Sequence, residues 1–536
     1  ELGNPQDDLK FIHIAGTNGK GSVLAYTSMI LSKAGYKTGR YVSPTVISYL
    51  EKIQIDGKWI SESEFAEIME EIKEAIDRLV CKGEPVPTVF EVETAMAFLY
   101  FKKQKCDLVV LEAGLGGETD ATNVIKNTVC AVFATISVDH LGVIGDTLEE
   151  IAQTKSGIIK PGCTVVSARQ QENVRLILRK KAESLNCIYT EAEPEQMSIE
   201  KEDYKGLTFS YKKYAHMQNH IAGECQRENL SVALEVIESL RKLGYQIEEG
   251  AVRDGLDATR WAGRFTCLSE DPVVIVDGAH NEDAAKKLKT SIERYFTGEE
   301  LILIMGVFKD KEYEKIVQIL CPSAKRVYTV DLPNKERTLS AEKLAECVRD
   351  CMTEQMSVYA EKSIGDAVAK AYTYATEDSG KRVVIACGSL SYLSEVIRCM
   401  EGCVQNPQRK EAARLTGCKN FTRAVYVDEH TAELTDWGIT LRTEQRNIPE
   451  NINYIGYRAH DFVPVWGGCG KNQIPFALES KAALPFEDNY YIKPANAEAN
   501  PSVISWFVQR ENQEKIREKG MPDALELVEE EVLFLE

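Results

Sequence analysis

Residues 11–22, with the sequence FIHIAGTNGKGS, join an apolar run to a helical pattern. The run Leu9–Ala15 predicts a buried strand, and the spacing of apolar residues in Gly21–Ala34 predicts a helix. A glycine-rich turn between a strand and a helix lets backbone N–H groups face a phosphate, and the positive end of the helix dipole adds to the attraction. The stretch therefore predicts a phosphate-binding loop at the edge of a sheet.

The side chains of this loop have chemistry that suits a nucleotide. Lys20 can reach the outer phosphate oxygens, and the hydroxyl of Ser22 can join the ligand shell of Mg²⁺. The spacing differs from the standard Walker pattern, because Ile14 stands where that pattern has a glycine. A glycine-rich turn without a ligand is the alternative. The candidate phosphate contacts are Asn18, Gly19, Lys20, Gly21 and Ser22.

Apolar strands alternate with helical stretches over the first 170 residues. Leu108–Glu112 and Val129–Ile136 are predicted strands, and Glu62–Leu79 is a predicted exposed helix. The alternation resumes after residue 262, where Val273–Val276 and Leu301–Met305 are further predicted strands. Strand and helix in alternation predict parallel sheets with crossover helices, so the fold class is α/β.

We place the domain boundaries at residues 1–262, 263–403 and 404–536. The pattern changes after Gly402 to short β-type pieces such as Ala424–Asp428 and Tyr454–Arg458, with proline and glycine between them. Short strands separated by turn residues predict a small β-rich third domain.

Composition excludes several classes of protein. The 536 residues carry a formal net charge of −19, so there is no basic surplus with which to neutralise a nucleic-acid backbone. We find neither a signal peptide nor an apolar run long enough to span a membrane, and the 15 scattered cysteines are typical of reduced thiols, so we expect a cytoplasmic protein. The chain opens at Glu1 without an initiator methionine, which suggests that a natural N-terminal segment is missing.

Further motifs follow the loop in a fixed order. Together with it they resemble the folylpolyglutamate synthase/dihydrofolate synthase family, a branch of the Mur-type ATP-dependent amide ligases, over residues 1–400 approximately. The resemblance implies a Mur-ligase-like ATPase domain followed by a second, Rossmann-like α/β domain. The motifs are Ser43-Pro44, Leu111–Gly117, Asp120–Asn123, Asp139-His140, Lys155–Gly162, Gly263–Phe265, Asp277–Asn281, Lys309–Lys311 and Gly388-Ser389.

The resemblance also implies a role for individual residues. Three residues match catalytic positions of the family, namely Lys20, His140 and Lys155. The family carries the lysine at the position of Lys155 as a carbamate. Two Mg²⁺ ions are implied. The matched metal ligands are Ser22, Ser43, Glu112, His140 and carbamylated Lys155, and the matched ATP contacts outside the loop are Asn229, Arg264 and Asp277.

The reaction that the resemblance implies is amide formation. ATP would phosphorylate the carboxylate of a folate or related pterin, and the amine of L-glutamate would displace phosphate from the acyl phosphate. The expected partners are therefore small molecules, without nucleic acid or membrane, and we expect a monomer.

Some positions depart from the family and leave alternatives open. Thr45 replaces a histidine, Glu118 replaces an arginine and Cys225 replaces a histidine. The resemblance places Cys225 near the nucleotide, whereas Thr45 and Glu118 lie where the substrate would bind and leave open a ligase of the same fold that acts on a different acid. The tail also carries motifs, at Glu411–Asn420, Asp436-Trp437-Gly438 and Gly456–His460. Through them residues 404–536 resemble the accessory domain of molybdate-type ABC transporter ATP-binding subunits, which leaves open a catalytically silent protein that senses an oxyanion.

Overall fold

The computed structural model describes most of the chain. The described residues are 1–139, 142–351, 356–377, 381–404, 418–444, 447–450, 452, 454–458, 462–466, 472–483, 488–495, 504–508, 510–527 and 532–535. They form two compact units, one of residues 1–367 and 373–394 and the other of residues 368–372 and 395–536.

The first unit begins with a sheet of eight described strands in the order β4-β3-β2-β5-β1-β6-β7-β8. The six neighbouring strands β2-β5-β1-β6-β7-β8 pair in parallel. Strands β3 and β4 extend the sheet beyond β2 with antiparallel pairing. The elements are β1 (Phe11–Ala15), α1 (Lys20–Lys33), β2 (Thr38–Tyr41), β3 (Ile53–Ile55), β4 (Lys58–Trp59), α2 (Glu62–Cys81), α3 (Val89–Lys103), β5 (Leu108–Glu112), β6 (Thr128–Phe133), α4 (Leu148–Ser156), β7 (Thr164–Ser167), α5 (Glu172–Ser184) and β8 (Ile188–Glu191).

The central strands are buried on both faces. Every residue of β1 and β5 is buried, and helices α1 and α3 contribute to the cores on the two sides. A strand covered on both faces is apolar throughout instead of alternating, which is why these strands were visible as continuous apolar runs. The predicted parallel α/β sheet is confirmed.

A small antiparallel sheet follows and was not predicted. It has the order β11-β10-β9, and its middle strand buries Leu207, Phe209 and Tyr211 in the core that α6 shares. The alternation of these three residues is a period-two signal that predicts a strand with one buried face. The elements are β9 (Met197–Asp203), β10 (Gly206–Tyr211), β11 (Tyr214–Asn219), α6 (Gln226–Lys242) and α7 (Glu249–Ala258).

The first unit also contains a second α/β sheet, with the order β12-β13-β17-β14-β15-β16. All its pairings are parallel except that of β12 with β13. The elements are β12 (Thr266–Glu270), β13 (Val273–Val276), α8 (Glu282–Tyr295), β14 (Glu300–Met305), α9 (Tyr313–Leu320), β15 (Ala324–Thr329), α10 (Ala341–Asp350), β16 (Ser357–Ala360), α11 (Ile364–Thr376) and β17 (Arg382–Cys387).

The second unit is rich in β-strands, as predicted, and their pairings are antiparallel. Its described strands form two five-stranded sheets, β20-β19-β18-β21-β27 and β22-β26-β23-β24-β25, around a core that includes Trp437, Tyr457 and Trp506. The elements are α12 (Leu393–Val404, which begins in the first unit), β18 (Cys418–Asp428), β19 (Thr431–Leu434), β20 (Ile439–Arg442), β21 (Tyr454–Arg458), β22 (Val463–Val465), β23 (Gln473–Ala483), β24 (Asp488–Pro494), β25 (Ile504–Val508), α13 (Arg510–Lys519), β26 (Ala524–Glu526) and β27 (Leu533–Leu535).

A helix with the length and hydropathy that a membrane crossing demands is absent from the described residues.

The contact between α1 and α7 gives a test of the packing. A Cβ atom at Gly255 would lie 2.6 Å from the Ile30 Cα, so Gly255→Ala should lower the midpoint of thermal unfolding by roughly 5 °C, the effect of about 1–3 kcal/mol of overpacking. Gly250→Ala in the same helix is the matched control, because nothing lies within 4 Å of that position. Thermal unfolding followed by fluorescence measures both variants. Equal midpoints would contradict the close approach of the two helices.

Candidate functional site

The predicted site residues lie around one cavity at the carboxyl ends of the strands. Its volume is about 180 Å³, and it is lined by loops that follow strands of both α/β sheets. Ligands commonly bind at this edge of a parallel sheet. The lining includes Asn18, Gly19, Lys20, Gly21, Ser22, Ser43, Glu112, Lys155, Asn229, Arg264 and Asp277. The remaining prediction, His140, lies outside the described residues.

The loop between β1 and α1 has the shape that a phosphate-binding turn requires. The backbone N–H groups of Thr17 and Asn18 donate to the carbonyl of Thr135, which ties the loop to the segment after β6. Gly19 is the N-cap of α1 at φ +90°, and a Cβ atom there would collide with the side chain of Asn229. Only glycine fits this position, because the backbone conformation and the close contact both exclude a side chain.

Lys20 lies over the loop and faces a buried carboxylate. Its Nζ donates to the carbonyls of Gly16 (3.1 Å) and Thr17 (3.4 Å) and lies 3.9 Å from Glu112 Oε1. Burial raises the pKa of Glu112, and the positive charges of Lys20 and Arg264 oppose that rise. The site therefore places a lysine amine and a carboxylate side by side in a largely water-free setting.

Two oxygens of the site lack the donors that buried oxygens usually have. Ser22 Oγ is fully buried without a hydrogen-bond partner, and Glu112 accepts from the Ser43 N–H only at 3.4 Å. Unfilled acceptor capacity of this kind suits a hard cation. No group of three or more His, Cys, Asp or Glu side chains that could hold a metal occurs among the described residues. A cation here would therefore depend on oxygens from a ligand and from water.

Lys155, near the end of α4, is the second amine at the loop. The residue is only 5% exposed, and its Nζ donates to the Gly16 carbonyl at 3.0 Å. Burial, reinforced by the charge of Lys20, lowers the pKa of Lys155 to about 7, although Asp139 and Asp120 oppose the shift. A substantial fraction of this side chain is therefore a neutral, nucleophilic amine near neutral pH.

The loop after β13 brings an acidic group to the same cavity. Asp277 accepts hydrogen bonds from the backbone N–H groups of Phe265 and Ala279, both at 2.9 Å. Burial raises its pKa, while the neighbouring Arg264 and these two donors oppose the rise. Both carboxylate oxygens thus fix the loop, and they keep further acceptor capacity on the cavity side.

Polar contacts join the loops of the two α/β sheets across the cavity. Asn18 donates to Asp283 (2.8 Å) and accepts from Asn281 (3.0 Å), and Lys311 donates to Asp139 at 2.8 Å. The residues Asp139, Lys311 and Asp283 are not among the site residues predicted from the sequence. The first two lie in motifs that the sequence had already singled out, so only their pairing required the structure.

Two family models match the chain and define its class. The Mur ligase middle domain matches residues 14–237, and the glutamate ligase domain of Mur ligases matches residues 263–390. The loop between β1 and α1 and both α/β sheets, apart from residues 11–13 of β1, lie within these matches. The first unit is therefore of the Mur ligase class.

Similarity to individual proteins identifies the family within the Mur ligase class. The dihydrofolate synthase/folylpolyglutamate synthase of Bacillus subtilis is 31% identical over 404 residues, which cover 74% of this chain and 91% of that protein. The folylpolyglutamate synthase of Lacticaseibacillus casei is 30% identical over 346 residues, 63% of this chain and 80% of that protein. This chain belongs to the dihydrofolate synthase/folylpolyglutamate synthase family.

Solved structures agree with this assignment. The Mycobacterium tuberculosis folylpolyglutamate synthase complexed with ADP and AMPPCP is 29% identical with a TM-score of 0.67, and the match covers 73% of this chain and 91% of that one. Escherichia coli FolC in complex with DHPP and ADP is 27% identical with a TM-score of 0.64, over 75% and 91% of the two chains. The resemblance of residues 404–536 to a transporter accessory domain is not tested by these matches and stays a prediction.

The buried amine of Lys155 makes stability depend on pH. Below pH 7 it is charged in both the folded and the unfolded chain, and its burial reduces stability. Between the folded pKa of about 7 and the ordinary value of 10.5, the folded protein binds fewer protons than the unfolded chain, so stability rises with pH. Lys155→Met removes this contribution.

We expect Lys155→Met to raise the midpoint of thermal unfolding most at about pH 6. The advantage over the wild type should shrink by about 1 kcal/mol for each pH unit above 7. Thermal unfolding of both proteins in CO₂-free buffer, in which Lys155 stays an unmodified amine, measures the difference at about pH 6 and pH 9. An advantage that is the same at both pH values would contradict a lowered pKa at Lys155.

Proposed function

We propose that this protein is an ATP-dependent ligase that joins the carboxyl group of a folate or related pterin to the amine of L-glutamate. The observation that carries the proposal is the convergence of Lys20, Lys155 and Glu112 at the turn around Gly16. A phosphate loop with two amines and a carboxylate suits phosphoryl transfer to an acid. Membership in the family supplies the substrate class.

The loop would bind the phosphates of ATP. The backbone N–H groups at the start of α1 and the Lys20 amine can exchange their present partners for phosphate oxygens. We assign Asn18, Gly19, Gly21 and Ser22 to the same role. Asn229 offers a donor and an acceptor to an adenine edge, Arg264 offers a two-pronged contact to phosphate, and Asp277 fixes the loop beside them.

The donor set also fits Mg²⁺, and we propose two ions. Buried Ser22 Oγ without a partner and the weakly bonded Glu112 carboxylate are the observations that support this fit. Ser22, Ser43 and Glu112 would hold one ion together with His140. When bound, Mg²⁺ would neutralise the charge of the phosphate oxygens.

We propose that Lys155 carries a carbamate. Its neutral amine would attack CO₂, forming an N–C bond and releasing a proton, and the product is an anionic oxygen donor for the second ion. The lowered pKa supports this step, since a protonated amine has no lone pair with which to react. The exchange of a cation for an anion would also remove the repulsion between Lys155 and Lys20.

Amide formation then takes two steps. An acceptor carboxylate oxygen attacks the terminal phosphorus of ATP and ADP leaves. The amine of glutamate next attacks the acyl carbon, loses a proton and expels phosphate. Water would destroy the acyl phosphate between these steps, and the contacts of Asn18 with Asp283 and of Asp139 with Lys311 close the loops over the site.

An assay of ADP release with Mg²⁺, ATP, L-glutamate and a panel of folates, other pterins and unrelated acids tests the proposal. We expect release that depends on glutamate and a product heavier by one glutamyl residue, identified by mass spectrometry. Lys20→Ala should reduce turnover at least ~100-fold, because it removes a cation from the developing phosphoryl charge. Lys33→Ala, exposed at the far end of α1, is the matched control and should retain wild-type turnover.

Two outcomes would refute parts of this proposal. Turnover with unrelated acids but no folate or pterin would show a ligase of the same class with a different acceptor. Wild-type turnover in Lys20→Ala would show that the phosphate loop is wrongly assigned.

The carbamate has its own test. Lys155→Ala should lose most of its turnover, and short carboxylates such as acetate or formate should restore part of it by supplying the missing oxygen. Lys20→Ala in the same assay is the control, because a carboxylate cannot replace its cation. Full activity of Lys155→Ala without any additive would exclude the carbamate from the mechanism.

A further inference from the structure

A second cavity lies on the other side of the loop that follows β5. Its volume is about 750 Å³, and this open cleft is bordered by α2, α3, the N-terminal segment and residues 118–124. Apolar side chains, among them Ile72, Leu79 and Phe98, form much of its lining. Residues 113–116 line the first cavity and residues 118–121 line the second, so a single loop separates the two.

The charged lining of this second cavity is entirely acidic. It includes Glu1, Glu91, Glu118 and Asp120, and no lysine or arginine belongs to it among the described residues. Acidic side chains that line one cleft with apolar walls act together to repel anions.

Three of these four carboxylates have partners that already use them. Glu1 pairs with Arg78 and Lys82, Glu91 caps α3 through the N–H of Thr88, and Asp120 accepts from the N–H groups of Leu115 and Thr122. Glu118 is exposed, and its side chain makes no hydrogen bond or ion pair within the described part of the chain. Of the four carboxylates, that of Glu118 can therefore interact with a ligand without giving up a partner within the protein.

Close packing fixes the position of Glu118 between the cavities. A Cβ atom at Gly117 would lie 2.7 Å from the Lys155 carbonyl, and one at Gly157 would collide with the Cβ of Glu118. The loop segment with Gly117 and Glu118 therefore packs closely against the end of α4. This close contact requires glycine at positions 117 and 157. An acceptor whose body fills the second cavity, and whose carboxyl group reaches Lys20, must cross the loop beside Glu118.

We propose that Glu118 is a specificity-determining residue that selects acceptors with a single carboxylate. The carboxylate that is activated leaves the acidic cavity for the phosphate loop, whereas any additional carboxylates would remain near Glu118 and be repelled. The enzyme would therefore add a first glutamate to a pteroate-type acid in preference to extending a chain of glutamates. This inference rests on the proposed function.

The test compares kcat/KM for two acceptors, a reduced pteroate-type acid with one carboxylate and the same acid carrying three γ-linked glutamates. We expect the wild type to prefer the first by at least tenfold and Glu118→Arg to raise kcat/KM for the second by about tenfold, the effect of reversing one partly screened charge. Glu118→Gln should give an intermediate value. The ratio of the two kcat/KM values of the wild type should fall at high salt, because ions screen the repulsion between Glu118 and the additional carboxylates.

Glu67→Arg is the matched control, because it makes the same charge change at an exposed position of α2 outside the cavity lining. Circular dichroism checks that each variant is folded. Equal use of both acceptors by the wild type, or the same response to Glu118→Arg and Glu67→Arg, would overturn the inference while leaving the proposed ligase intact. Turnover with neither acceptor, but with an unrelated acid, would refute the proposed function itself.

Discussion

Two lysine side chains donate to the same carbonyl oxygen in the candidate site of the first unit. Lys20 Nζ lies 3.1 Å and Lys155 Nζ 3.0 Å from the oxygen of Gly16. Burial, reinforced by the charge of the neighbouring Lys20, lowers the pKa of Lys155 to about 7. Glu112 offsets part of the remaining charge. Such an arrangement persists only because rigid strands and a glycine turn hold these groups in place, and it suits a polyanionic ligand.

The second α/β sheet completes this site from the other side. Asn281 and Asp283 at the start of α8 bond to Asn18 of the phosphate loop, and Lys311 reaches Asp139 after β6. Every one of these contacts links residues more than 140 positions apart in the chain. The phosphate-binding loop is therefore supported by both halves of the first unit, which fits a reaction whose intermediate must be kept from water.

Much of the fold could be predicted because the central strands are buried on both faces. Leu108–Glu112 and Val273–Val276 were predicted with the bounds that the structure has, since a continuous apolar run marks such a strand. The sheet β9–β11 was missed because β9 is mostly polar, although Leu207, Phe209 and Tyr211 alternate in the middle strand. The site residues of the phosphate loop followed from local glycine and lysine chemistry, whereas Ser43, Glu112, Lys155, Asn229, Arg264 and Asp277 followed only from the family resemblance.

Local sequence alone was enough for the strand, glycine turn and helix around Gly16, for the parallel α/β class and for the acidic, globular character of the chain. These properties depend on neighbours within about twenty residues, and period and composition record them. Tertiary structure alone revealed the shared carbonyl of Gly16, the lowered pKa of Lys155 and the acidic cavity beside Glu118. Each of these features depends on distances between segments far apart in sequence and on the exclusion of water. The electrostatic free energy and the pKa of a group are set by its burial and by neighbouring charges, which residue type alone does not specify.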